Sequence, residues 1–229
     1  MIAWTAKDII NEDVILSASK NSKSFADKIK DEFLNNKYGF VICDFKDYIN
    51  PLKQFQKTID HMGQKMPQNI NKDLMAIVEN TGLKMSEGGR YHKSNDGGSL
   101  HTDCPQWINV PDYIALYCIN SCPDGGNTKL ISALSIRDVY RKSNPDLFEE
   151  LRSNYHFDKR GEYTEKENRT TYAPIFSSNN QGVKFRFLDK YIESGHKIAN
   201  SPLKKKQKKA INQLKIYLLL LMLQRHHNH

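Results

Sequence analysis

Between residues 23 and 35 the run KSFADKIKDEFLN sets Phe25, Ile29 and Phe33 four apart, with charged residues between them. That spacing puts the three aromatic and aliphatic side chains on one face, so an amphipathic helix is expected. After the break NNKYG, FVICDF at 40 to 45 packs β-branched and aromatic residues into a short apolar run, the pattern of a buried strand. INPLKQFQKTIDHMG returns to helix, opened by Pro51 and closed by Gly63.

From Gly82 to Gly98 the chain is dense in Gly, Ser, Asn and Lys and is expected to be a long loop. DYIALYCINS, 112 to 121, is apolar at both alternating sets of positions, as in a strand covered on both sides. The turn CPDGGNT and a second strand, KLISAL, follow. SALSIRDVYRKSN and NPDLFEELRSN have helical spacing, with Ser135 and Asn144 as expected caps. YAPIFSSNNQGVKFRFL, 172 to 188, places two strand-like runs around SSNNQG. SPLKKKQKKAINQLK then starts a helix with Leu203, Ile211, Leu214 and Leu218 on one side. Near Tyr217 the composition changes to leucines and QRHHNH, and no internal repeat is present.

A chain of 229 residues is enough for one domain with a real core. The formal net charge of +8 is local: from 201 to 229 there are seven basic residues and no acid, and removing them from 34 leaves 27 basic against 26 acidic. Without aromatic platforms, the KKKQKK run is expected to be a solvated helix face, and nucleic acid is not expected as a partner. Cys43, Cys104, Cys118 and Cys122 follow no disulfide framework and lack the paired knuckles of a structural zinc site, so they are expected to be buried small hydrophobes in a reducing cytoplasm. The acids in MIAWTAKDIINEDV argue against a signal peptide, and IYLLLLML is too short for the roughly twenty residues that cross a bilayer.

Candidate chemistry lies in GGSLHTDCPQW, 97 to 107. On an extended backbone residues i and i+2 share a side, so His101 and Asp103 can converge on one ion while Thr102 faces away. An imidazole and a carboxylate suit Fe(II) in a facial site that keeps positions open for oxygen chemistry. Further on, the turn Gly125-Gly126-Asn127-Thr128 brings a hydroxyl 27 residues after His101. Trp107 is a candidate for the site's mouth or for the core; Arg90 and Tyr91 are candidate substrate contacts, and His92 and His156 are expected to be structural.

HTD, an apolar strand-like run and a GG-x-T turn together resemble the TauD/TfdA family of Fe(II)- and 2-oxoglutarate-dependent dioxygenases, over roughly residues 20 to 200. The resemblance implies an α+β fold, a clavaminate-synthase-like double-stranded β-helix (jelly roll) with flanking helices, forming a single domain over 1–229. It implies His101 and Asp103 as iron ligands, Thr128 as a residue that holds the 2-oxoglutarate carboxylate, and molecular oxygen and a small metabolite as the other reactants. Asp103, where related halogenases carry a small residue, implies hydroxylation or desaturation. The family's third ligand and its carboxylate-binding arginine stand in an N-x-x-x-x-H-x-R motif, which does not occur in this sequence. His226, His227 and His229 have no arginine and strand after them and are expected to form a solvated tail. The expectation is therefore a β-helix incomplete at its C-terminal side, with uncovered edges that favour homo-oligomers. The alternatives are a non-catalytic relative acting by binding and, further off, a basic-tail nucleic-acid binder.

Overall fold

The computed structural model describes residues 3–4, 8–9, 13–35, 38–69, 71–79, 81–82, 84, 99–124, 126–179 and 182–223. Arg90, Tyr91, His92, Gly125, His226, His227 and His229 lie outside the described residues, and so do the expectations placed on them. The structure is mixed α and β, and its described strands form three two-stranded sheets. It divides into two compact units interleaved along the chain: residues 1–65, 113–143 and 216–229, and residues 66–112 and 144–215.

In the first unit, β1 (Ile15–Ser17) leads through α1 (Ser22–Asn35) to β2 (Ile42–Asp44), which pairs with β1 in parallel, Leu16 opposite Cys43. Asn21 caps α1, its side-chain oxygen accepting from the Ser24 amide at 3.0 Å. Of the predicted face, Phe25 and Ile29 are buried and pack with Leu16 and Phe45, and the side chain of Phe33 lies outside those described. Burying each such side chain contributes roughly 1.5–3 kcal/mol. The strand at 40 to 45 is present but not buried as expected. Ile42 is half exposed and only Phe45 is fully buried, while Phe40, Val41 and Cys43 are partly buried against two small core clusters.

α2 (Pro51–Asp60) starts as predicted, with Pro51 in its first turn and the Asn50 side chain accepting from the Lys53 amide at 2.9 Å; it ends at His61 rather than at Gly63. The strands expected at 112 to 121 and from Lys129 are absent: both stretches lack regular structure and are largely exposed, and α3 (Ala133–Ser143) takes over within KLISAL. An apolar run becomes a strand only when a neighbouring edge supplies ladder hydrogen bonds, and no described strand pairs with either stretch. The cap of α3 is Ser132, whose hydroxyl accepts from the Ser135 amide at 3.3 Å, while Ser135 itself donates to the Trp4 carbonyl at 2.7 Å.

In the second unit, α4 (Pro145–Leu151) begins after Asn144, which sits at the cap position without a side-chain cap bond. β3 (Asn154–Asp158) and β4 (Thr170–Pro174) form an antiparallel pair, His156 opposite Tyr172. β5 (Phe176–Asn179) and β6 (Gly182–Phe185) form the predicted hairpin. α5 (Asp189–Ile198), which hydrophobic spacing did not announce, lies on β3. Gly195 makes that contact possible: a Cβ there would stand 2.3 Å from the His156 carbonyl oxygen.

α6 (Lys205–Leu223) starts three residues after Pro202 and runs through the composition change at Tyr217 without a break. Its buried positions, Gln207, Ala210, Ile211, Leu214, Tyr217 and Leu218, recur at three and four. No described helix is long and apolar enough to cross a membrane.

Candidate metal-binding site and its scaffold

His101 to Trp107 contain no helix or strand, so their backbone polar groups must find partners outside any regular ladder. Thr102 is tied to Phe187, just beyond β6, by one backbone and one side-chain bond: its amide donates to the Phe187 carbonyl at 2.9 Å, and its hydroxyl accepts from the Phe187 amide at 3.0 Å. With Thr102 turned that way, its two neighbours share a direction, and His101 Nε2 stands 3.6 Å from Asp103 Oδ1.

The Ser99 carbonyl lies 2.6 Å from His101 Nδ1, and a carbonyl only accepts, so Nδ1 carries a proton and Nε2 is the atom directed at the carboxylate. The hydrogen bond that the protonated imidazole donates to Asp103 holds its pKa above the ordinary value; burial opposes this, and the Ser99 carbonyl assists. A proton and a metal ion thus compete for the same nitrogen.

The next four residues form a turn, with the Trp107 amide donating to the Cys104 carbonyl at 3.0 Å and Cys104 in left-handed backbone at φ 50°. Three side chains hold this turn. Arg186 Nη1 donates to the carbonyls of Pro105, at 2.7 Å, and Trp107, at 2.6 Å. The Thr171 hydroxyl donates to the Gln106 carbonyl. Glu162 Oε2 accepts from Gln106 Nε2 at 2.8 Å and from the Trp107 indole at 2.7 Å. Burial pushes the Cys104 thiol up to about 12, with the Asp103 and Glu162 charges adding to it, so it stays protonated at neutral pH and is a poor ligand or nucleophile.

Thr128 belongs to the first unit and is exposed in the non-regular stretch after Gly126, whose φ is 72°. His156 is structural: Nδ1 lies 3.0 Å from the Thr170 hydroxyl, its ring lies 4.4 Å from Tyr172, and its amide donates to His196 Nε2 at 3.2 Å. Trp107 is tied to Glu162 as one of the scaffold's own bonds. Cys118 and Cys122, expected to be buried, are exposed, and Cys43 and Cys104 are half-buried; all four are free thiols.

Sequence reasoning missed Arg186, Glu162, Thr171 and Phe187. Only Arg186 carried a signal, as a lone guanidinium between two phenylalanines in FRF.

As a donor set, His101 and Asp103 fit a divalent ion. Two neighbouring ligands at bonds of about 2.1 Å lie about 3 Å apart, close to the separation found, and a ligating histidine ordinarily donates its other N–H to a carbonyl, as His101 does. Among the described residues no group of three or more His, Cys, Asp or Glu side chains converges.

Comparison with known families places the chain. Its residues 19–218 match the family described as taurine catabolism dioxygenase TauD, TfdA family. The protein belongs to this family of dioxygenases. No curated protein matches the sequence.

Proposed function

We propose that the protein is an Fe(II)- and 2-oxoglutarate-dependent oxygenase that hydroxylates or desaturates a small metabolite, with His101 and Asp103 as two of the iron ligands and Thr128 as a contact of the 2-oxoglutarate carboxylate. The observation that carries this reading is the convergence of His101 Nε2 and Asp103 Oδ1 at 3.6 Å in a chain matched to the TauD/TfdA family along residues 19–218. In this reading the catalytic core is the family's double-stranded β-helix, and the whole chain serves as one oxygenase domain.

Iron with 2-oxoglutarate would supply oxidation of an unactivated C–H bond by dioxygen, with succinate and carbon dioxide as by-products. The residues' own tasks are simpler. His101 presents one nitrogen in a fixed tautomer, and Asp103 supplies negative charge that offsets the ion's. Thr102 stays out of the site by facing Phe187.

Anaerobic titration with Fe(II) and 2-oxoglutarate, followed by visible absorption, tests the proposal. A charge-transfer band that is lost in both His101→Ala and Asp103→Ala is the expected result, and succinate release in air would establish turnover. A second reading is binding of the ion and 2-oxoglutarate without catalysis. It predicts a band without succinate. No band from folded protein would defeat both metal-based readings.

A further inference from the structure

Having no ladder of its own, the segment that carries His101 and Asp103 takes its shape from side chains that reach it, and Arg186 bonds two of its carbonyls at once. One nitrogen, Nη1, meets the Pro105 and Trp107 carbonyls at 2.7 and 2.6 Å, and the guanidinium carbon lies 5.8 Å from the centre of the Phe157 ring. Among the described residues no carboxylate pairs with it, and burial holds its pKa below the usual arginine value.

A half-buried cation balanced by carbonyl dipoles and an aromatic face is costly beside an apolar side chain of similar volume. Strand packing alone would be served by methionine or leucine. What only a hydrogen-bond donor can satisfy is the pair of carbonyls in the turn that follows Asp103. One position further on, the Phe187 backbone takes both Thr102 bonds. Residues 186 and 187 therefore hold the chain on each side of Asp103, at 102 and at 105 to 107.

We propose that Arg186 is a positioning residue for the His101–Asp103 pair: by fixing the turn after Asp103 it sets the direction in which the two donors converge on a divalent cation. The proposal rests on the metal-ligand reading of His101 and Asp103. Arg186 itself touches neither the ion nor the substrate. Its action passes through the Pro105 and Trp107 carbonyls.

The test uses the full chain and Co(II) alone as probe. Affinity and visible spectrum are measured for the wild type, Arg186→Met, Arg186→Lys and Arg186→Ala, and the His101 tautomer is followed separately by nitrogen-15 NMR of the metal-free protein. The expected result is Co(II) binding weakened about 10–100-fold in Arg186→Met, the size of effect seen when groups that orient ligands are lost. An altered spectrum and a mixture of His101 tautomers should accompany it. Arg186→Lys should recover part of the loss, and millimolar guanidinium ion should restore Arg186→Ala.

Unchanged affinity, spectrum and tautomer in Arg186→Met, with only a lower melting temperature, would overturn the proposal and make Arg186 a stabilising residue. If Arg186→Met does not fold, Arg186→Lys and guanidinium rescue of Arg186→Ala decide on the same readouts. If the wild type binds no Co(II), the ligand reading fails by itself. The tautomer then decides on Arg186: a single form in the wild type that becomes mixed in the variant supports positioning, and no difference refutes it.

Discussion

Residues 99–107 and the described residues of 113–132 both lack regular structure, yet they are held in opposite ways. The first is short and polar, and seven of its hydrogen bonds run to Phe187, Arg186, Thr171 and Glu162. The second is far richer in apolar residues, but Leu116, Ile119 and Ile114 remain 71%, 63% and 46% exposed. Hydrophobic content states what a segment gains by burial; specific polar partners decide whether it has a defined place.

The largest effect expected in the unit that holds the first segment comes from Gly195→Ala. Its Cβ would meet the His156 carbonyl at 2.3 Å, so α5 must move off β3, at a cost of about 3 kcal/mol or more in urea unfolding. Next comes Thr102→Val, which strands the Phe187 amide; about 1–2 kcal/mol is expected by the same measurement, together with weaker Co(II) binding. If Thr102→Val leaves both unchanged, the contrast between the two segments is wrong.

A third prediction concerns pH. Burial pushes the Asp189 carboxyl up, but the hydrogen bond and charge of Lys215 at 2.7 Å, with the Lys190 amide, outweigh it and hold the pKa below the ordinary carboxylate value. A group depressed in the folded state stabilises above its unfolded pKa of about 3.9, and that contribution fades as pH falls through the lower folded value. In Lys215→Met only the Lys190 amide and charge still oppose burial, the folded pKa rises, and acidification from pH 6 to 4 should cost less stability than in the wild type. Denaturation midpoints at several pH values check this. Smallest of all, Leu116→Ala should change stability by no more than about 0.5 kcal/mol, since its side chain is mostly exposed; a loss as large as that from Thr102→Val would erase the comparison.

Local rules made part of this legible in the sequence. The four-residue spacing of Phe25 and Ile29 and the Asn-Pro start at 50 and 51 are decided within one or two turns of chain, and α1 and α2 follow them. The SSNNQG hairpin is equally local. His101 and Asp103 share a side as alternation predicts, although the reason is Thr102's attachment to Phe187, more than eighty residues away. What could not be read depends on pairing across such distances. The strand expected at 112 to 121 needed an edge, α5 needed a glycine opposite His156, and the scaffold around Asp103 needed Arg186 and Glu162 brought in from remote parts of the chain.

His196 accepts the His156 amide on one nitrogen and meets the Ser201 carbonyl, 2.6 Å away, with the other, so its ring proton must sit on Nδ1. That proton is enclosed between the end of α5 and the turn behind it, and its exchange with water requires the Ser201 turn to open. The protein thus carries its own clock for the opening of this turn, and a single imidazole resonance would tell the time.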